Sequence, residues 1–415
     1  MSKPLPSYCS AALAALMGLA PAAHADVFGH VRARATMQQN ALWGTEHEGA
    51  DWYVTHRYHL GAEHSGTTWG AGFELAAAYD HGAAFGTSPV DENRLDLHRA
   101  WLDLSLSDSV SLRLGRDEWK LGSGRLVATR DGTNVKRRFD GAVLRLSAPG
   151  ITIKTLAGFE VENDPGVFDD GIGKGKALWG TYATIASAPG TGIDVYYLGY
   201  RAGSARDVRS ATEVRHSIGA RLFGDTGIWD WDGEAVYQFG RQGEATIAAW
   251  TVAATAGRAF RDTTFSPRIA LSANIASGDR DGTDNKLTAF NALFPRGSYF
   301  SDLAHLGPRN FYNLNPYLTL ELAERLTVTM DVNMFWRFSR ADGVYAPNGS
   351  QILAADRSAP RYVDTATSIN FEFTTRGGVF LGAVATRSAP GAFVRHVKPD
   401  ARAITFIELT ARLDF

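Results

Sequence analysis

Apolar and polar residues alternate along most of this chain. At its C-terminal end Thr405, Ile407, Leu409, Ala411, Leu413 and Phe415 fall on one face, and Glu408, Thr410, Arg412 and Asp414 on the other. Leu326, Val328, Met330, Val332, Met334, Trp336 and Phe338 alternate with Thr327, Thr329, Asp331, Asn333, Phe335 and Arg337. The same rhythm sets Ile151, Ile153, Ala157, Phe159 and Val161 against Thr152, Lys154, Gly158 and Glu160, and Trp69, Ala71, Phe73 and Leu75 against Gly70, Gly72 and Glu74. A period of two is that of a strand with two unlike faces. Charges on the second face are costly unless that face meets water or a partner. A water-filled interior removes the cost.

Counting such segments predicts about 18 strands, and not fewer than about 16. They start near Val27, Trp52, Thr68, Leu95, Val110, Phe139, Ile151, Leu178, Ile193, Glu213, Trp229, Ile247, Pro267, Arg309, Leu326, Tyr362, Val379 and Ala403. Short links recur at 107–108, 148–150, 187–192, 224–227, 323–325 and 376–378. Long polar stretches lie between them at 80–94, 116–140, 162–177, 277–308 and 339–360. Tight turns on one side and long loops on the other describe a transmembrane antiparallel β-barrel of the outer membrane, all-β and single-domain. The even count places both termini on the turn side. A terminal Phe415 in this register resembles the ending by which such barrels are recognised for assembly, so the barrel-assembly machinery is an expected partner, together with outer-membrane lipids.

The N-terminus supports that destination. Lys3 is the only charge before Asp26, residues 11–19 are apolar, and Ala23-His-Ala25 places small residues where signal peptidase reads. Residues 1–25 are therefore expected to be a cleaved leader and 26–415 the barrel. An uncleaved anchor is the weaker alternative, because the apolar run is too short to span a bilayer. The single cysteine, Cys9, lies in the leader without a lipid-attachment context. The rest of the chain has no disulfide and no thiolate chemistry. Mean hydropathy is −0.17, and no later stretch reaches the length of apolar residues that a spanning helix requires. A helical membrane protein is excluded.

Enzyme signatures are missing: there is no Gly-x-Ser-x-Gly, no His-Glu-x-x-His and no P-loop. Asp279-x-Asp281-x-x-Asp284 lacks the glycine and the glutamate of a calcium loop. A solvated acidic loop is favoured there over a loop-stabilising calcium, and no cofactor is expected. Tyr53, Trp229, Trp231 and Tyr362, near strand ends, read as an interfacial girdle rather than as sugar-stacking platforms.

The positive chemistry is arginine. Parity places Arg32, Arg57, Arg99, Arg113, Arg215, Arg221, Arg268 and Arg337 on the inner face. The segment after the fifth strand adds Arg116, Lys120, Arg125, Arg130, Lys136, Arg137 and Arg138. The formal net charge is only −2, so any excess of cation in the pore is local. A guanidinium fork matches a carboxylate bidentately and stays charged. Acids share the inner face, namely Asp103, Glu160, Asp230, Asp232, Glu234 and Asp331, and Asp103 is expected to compete for the arginines. Charge alone leaves mixed porin lining and anion selectivity equally open.

Residues 112–127, 129–135 and 138–141 resemble the fifth strand and following loop of the alginate-export porin family. So do Ala276-Ser-Gly-Asp279, Phe290-Asn-Ala-Leu-Phe-Pro-Arg-Gly297 and Tyr299-Phe300, with weaker matches at 95–100 and 234–240. The resemblance implies an 18-stranded barrel with an electropositive constriction that passes polymannuronate and polyguluronate outward. It carries over to Arg99, Arg116, Arg125, Arg130 and Arg138. The expected function is a passive exporter of an acidic polysaccharide, with Arg32, Arg57, Arg268 and Asp103 also on the path. It is expected to act as a monomer, without nucleic acid, beside periplasmic polysaccharide-export proteins. A general or uptake porin for small anions is the alternative. A barrel enzyme and an occluded structural barrel are the further ones.

Overall fold

The computed structural model describes residues 25–44, 49–84, 90–203 and 211–415. The expected leader therefore lies, up to His24, outside the described residues. The wall consists of β1 (Asp26–Gln39), β2 (Ala50–Ser65), β3 (Trp69–His81), β4 (Asn93–Ser107), β5 (Val110–Asp117) and β6 (Phe139–Ala148). Next come β7 (Ile151–Glu162), β8 (Gly171–Ala188), β9 (Thr191–Ala202), β10 (Glu213–Asp225), β11 (Trp229–Gln242) and β12 (Ala245–Ala259). The ring is completed by β13 (Arg268–Ala276), β14 (Phe311–Ala323), β15 (Leu326–Arg337), β16 (Tyr362–Thr374), β17 (Phe380–Pro390) and β18 (Ile404–Asp414). Each strand pairs antiparallel with the next, and β18 returns to β1 with Val31 opposite Leu413. The result is a closed 18-strand barrel. Closure leaves no unpaired edge, which is what a strand structure needs in lipid.

Turn chemistry explains the tight end. Two hairpins carry the same Ser-Ala-Pro-Gly sequence, before β7 and before β9. Their Gly150 and Gly190 have φ of 75° and 71°. Proline pre-sets the first turn position, and glycine alone accepts the left-handed second one without cost.

The predicted strand starts fall within two residues of those observed, except for β8. This strand begins at Gly171, not Leu178, and its first residues pair with Val161 and Glu162. The stretch Gly-Ile-Gly-Lys-Gly-Lys lacks a lipid-facing apolar row, so no alternation marks it as a strand. The short–long alternation also breaks once. β11 and β12 are joined at the loop end by Gly243 and Glu244 alone, and the following link at the turn end, 260–267, is longer.

The outward parity carries exposed Val27, Val31, Leu60, Phe73, Leu114, Ile185, Val195, Ile218, Leu222, Val252, Ile269 and Leu271. In water this belt would be an aggregation surface, whereas in a bilayer it is the lipid contact. Towards the loop end it turns aromatic. Tyr237 lies opposite Trp250, Trp250 meets Phe338 at 5.5 Å, Tyr312 stacks on Trp336 at 5.2 Å, and Trp336 reaches Tyr362 at 5.6 Å. Trp229 and Trp231 face outward at the turn end. Tyr53 does not join this girdle. It shares the inward parity of Arg57 and pairs with Thr36, because Trp52 takes the outward position beside it, 65% exposed.

The long loops were expected outside, over an open water-filled lumen. Two of them fold in instead. Loop 118–138 and loop 277–310 enter the barrel and touch through a short bridge at Val127 and Phe294. Ala128 donates to the Phe294 carbonyl at 3.0 Å, and Phe294 to that of Leu126 at 2.9 Å. Trp119, Leu126, Val127, Phe290, Leu293, Phe294 and Leu306 from these loops are buried, and Trp119 stacks on wall residue Phe139 at 4.6 Å. So many apolar side chains on two loops would leave too much surface in water, and inward folding removes it. Wall glycines make the room: a Cβ on Gly141 or Gly158 would come within 2.9 or 2.7 Å of the Trp119 ring.

Candidate conduction path

All eight parity-assigned arginines project inward, but they do unlike jobs. Arg32 and Arg57 are almost fully buried. Arg32 donates to the carbonyls of Asp131 and Thr133 at 2.9 and 3.0 Å. Arg57 reaches the Asp131 carboxylate at 2.8 Å, and neighbouring Arg34 the carbonyl of Gly132 at 2.6 Å. Three guanidinium groups on β1 and β2 therefore hold the tip of loop 118–138. From the same loop Arg125 reaches Asp232 and Glu234 on β11 at 3.3 and 3.2 Å. β11 stands half the ring away from β2, so this loop spans the lumen and is tied to both walls. Burial opposes ionisation of Asp131, but Arg57, Lys136 and Arg32 outweigh it and hold the carboxyl below its ordinary range.

The remaining arginines are matched too, all but Arg337 in ion pairs. A bulge between β3 and β4 turns both His98 and Arg99 inward. Arg99 pairs with Glu74, and His98 lies 2.7 Å from Glu118. Arg113 grips Asp103 with two bonds of 2.8 and 2.6 Å and reaches Asp117 at 2.8 Å. Across the lumen, Arg221 bridges Asp194 and Asp232 at 3.0 and 2.5 Å. Arg268 holds Asp230 at 2.7 and 2.5 Å. Arg215 bonds Glu213 and Gln238. Arg337, fully buried, lies 3.6 Å over the Phe393 ring and donates to loop carbonyls. Each of these guanidinium charges is already met by an acid, a carbonyl or a ring.

Arg116 belongs to β5, not to the loop, and lies on the face of that strand opposite Arg113. It pairs bidentately with Asp140 at 2.7 and 3.0 Å. Arg138 pairs with Asp170 and donates to Asn163 at 2.8 Å. Both occupy a seam above β5, where loop 163–170 takes the missing strand's place beside β4, with Phe168 donating to the Leu95 carbonyl at 2.9 Å. They close the wall there. Arg130 has a left-handed backbone, φ 57°, and donates to the Val135 carbonyl within its own loop. Arg137 meets Glu160 at 2.9 Å. In the acidic stretch, Asp281 and Asp284 each cap a nearby backbone N–H. Among the described residues, the His/Asp/Glu groups whose ligand atoms converge lie elsewhere, at His30, His59 and Glu74 and at Asp96, Asp169 and Asp170.

Two inward cations escape this pairing: Lys154, which the alternation already places on the polar face, and Arg145, which it does not single out. Arg145 on β6 lies directly opposite Lys154 on β7. They share the inward parity of Phe139 and Glu160, towards the turn end of the lumen. Arg145 donates to Ser147 at 3.3 Å, and among the described residues neither cation has an acid partner. Reading 139, 141, 143 and 145 as one face would have found Arg145. On the lumen-spanning loop, Lys120 is likewise exposed and makes no ion pair among the described residues.

The fold resembles several solved porins. A BenF-like porin from Pseudomonas fluorescens Pf-5 superposes with a TM-score of 0.65 at 10% identity, over 94% of this chain and 98% of that one. Pseudomonas aeruginosa OccK9 (OpdG) gives 0.63 at 12% identity, over 94% and 98%. OccK2 (OpdF) of the same species, solved with glucuronate, gives 0.60 at 12% identity, over 94% and 96%. No match was found among curated protein sequences. The family model for alginate export matches residues 24–407. These residues run from the first strand into the last and include the two loops that meet at Val127 and Phe294. The chain is an outer-membrane porin, and it belongs to the alginate-export family.

Proposed function

We propose that this porin passively conducts an anionic exopolysaccharide of the polyuronate class out of the periplasm. The observation that carries the reading is the Arg145–Lys154 pair. Like charges opposite each other across two strands are destabilising, and among the described residues no acid relieves them. A passing carboxylate polymer relieves them instead. Paired lumen arginines such as Arg99, Arg113 and Arg268 exchange partners with the moving polymer, and acids such as Asp103 compete to keep each contact weak. Conduction requires contacts favourable enough for entry and weak enough for exit. The protein works as a monomeric transport channel rather than an enzyme, beside periplasmic polysaccharide-export proteins.

A second reading, uptake of small uronates, draws support from the likeness to OccK2, which was solved with glucuronate. Single-channel recording separates the two. Mannuronate or guluronate oligomers are expected to block small-ion current in a salt-dependent way, and uncharged glucans of equal length much less. Block by monomeric glucuronate alone favours uptake. Equal block by charged and neutral oligomers removes both readings.

A further inference from the structure

We propose that the outer rim of the barrel, above β13 to β15, binds a phosphorylated glycolipid of the outer leaflet. A cavity of about 550 Å³ opens there, lined by Ile275, Tyr312, Phe338, Arg280, Arg340 and Arg361. Its floor is on the lipid side of the wall. Ile275 and Tyr312 are opposite one another in the β13–β14 register and share the outward parity of exposed Leu271 and Leu314. Tyr312 and Phe338 belong to the aromatic girdle, which marks the level where acyl chains give way to headgroups.

Three arginines stand over that floor, and two lack a partner among the described residues. Among the described residues the Arg280 and Arg340 side chains make no hydrogen bond or ion pair, and the Arg340 Nε is buried without an acceptor. Arg361 spends one nitrogen on the carbonyls of Arg337 and Phe338 and keeps the rest of its fork. The nearby acids are engaged elsewhere: Asp281 faces Arg357 at 3.9 Å and Asp356 faces His396 at 3.2 Å. This differs from the lumen, where nearly every guanidinium is matched. Unmatched forks call for an anion with several acceptor oxygens, which a phosphate supplies. The apolar floor selects a phosphate carried on acyl chains over a free one. Bound lipid would thus satisfy the arginines and the aromatic shelf together.

The test is native mass spectrometry of the purified barrel titrated with bisphosphorylated lipid A, dephosphorylated lipid A and inorganic phosphate. The wild type is expected to retain the bisphosphorylated lipid, with about tenfold weaker binding in Arg280→Gln/Arg340→Gln, from the loss of two charge-assisted contacts. Heat-modifiability shows whether the variant is folded. If it is not, the single change Arg280→Gln at the exposed position is read instead, with about a threefold loss expected. Unchanged affinity in a folded variant overturns the site. So does equal binding of dephosphorylated lipid, which would leave only the girdle acting. Displacement of the lipid by inorganic phosphate at similar concentration would make it a soluble-anion site and overturn the lipid assignment.

Discussion

Phe415 and Gly29 close the barrel by exchanging two backbone hydrogen bonds, Gly29 N–H to the Phe415 carbonyl at 2.8 Å and Phe415 N–H to the Gly29 carbonyl at 3.0 Å. The Phe415 ring lies over Gly29, where a Cβ would come within 2.8 Å of it. The terminal aromatic thus does two things: it presents an exposed lipid-facing ring and pins the last strand to the first. Removing Phe415, or changing it to Asp, is expected to lower folded, heat-modifiable barrel in outer membranes several-fold. Gly29→Leu is expected to do the same, since a Cβ there meets the His59 carbonyl of β2 as well as the Phe415 ring. Wild-type amounts of folded protein from both variants would separate closure from assembly and refute the link.

The lumen-spanning loop offers a second prediction. Its tip is held by Arg32, Arg34 and Arg57, and its other side by Arg125. Arg57→Gln leaves the Asp131 carboxylate without its nearest cation and removes a charge-assisted bond worth about 2 kcal/mol. The barrel should fold, since its wall pairing is untouched. Single-channel traces are expected to show larger conductance or frequent flicker as the loop leaves its seat. Quiet traces of wild-type amplitude would mean that the carbonyl contacts of Arg32 and Arg34 suffice.

Acid should act on the same tether. The Asp131 carboxyl is held below its ordinary range, so its contribution to docking is fully present above the usual aspartate value near about 3.9. It is lost only as pH falls through the lower, folded value. Conductance is therefore expected to stay level from about pH 7 to pH 4 and to change below that. Asp131→Asn should show the low-pH behaviour at neutral pH and lose the acid step. An acid step of the same size in Asp131→Asn would assign it to another carboxylate.

Strand number, closure and which arginines face inward could all be read from parity, because lipid on one side and water on the other impose the same period on every strand. Loops carry no such period. That Arg116 belongs to β5, that Tyr53 yields the outer face to Trp52, and that Arg32 and Arg57 hold a loop all depend on partners distant in sequence. The inward folding had a visible cue in the apolar residues Leu121, Leu126, Val127, Phe290, Leu293 and Phe294, which are too many for external loops. Parity alone could not separate Arg113, matched by Asp103, from Arg145, which has no acid partner among the described residues. That distinction needs the register between strands.

It is also the distinction on which ion selectivity should turn. Replacing an arginine that already holds an acid removes a charge and frees its partner, so its effect mixes selectivity with stability. Arg145 and Lys154 are free of that ambiguity. Wild-type barrels in planar bilayers are expected to prefer anions, and Arg145→Glu/Lys154→Glu is expected to move the reversal potential towards cation preference. Each charge acts on a passing ion with about 1 kcal/mol at 4 Å in water, which is a several-fold change in relative permeability. The effect should shrink in about 1 M salt, where the screening length falls to about 3 Å from about 10 Å at 0.1 M. Arg116→Glu serves as the contrast. It lies on the face of β5 opposite Arg113 and should alter folded yield, through loss of the Asp140 pair, more than selectivity. If Arg116→Glu shifts the reversal potential and the Arg145/Lys154 change does not, the selective region lies at the loop end of the barrel. In that case the unpaired cations near the turns are a solvated patch with no part in transport.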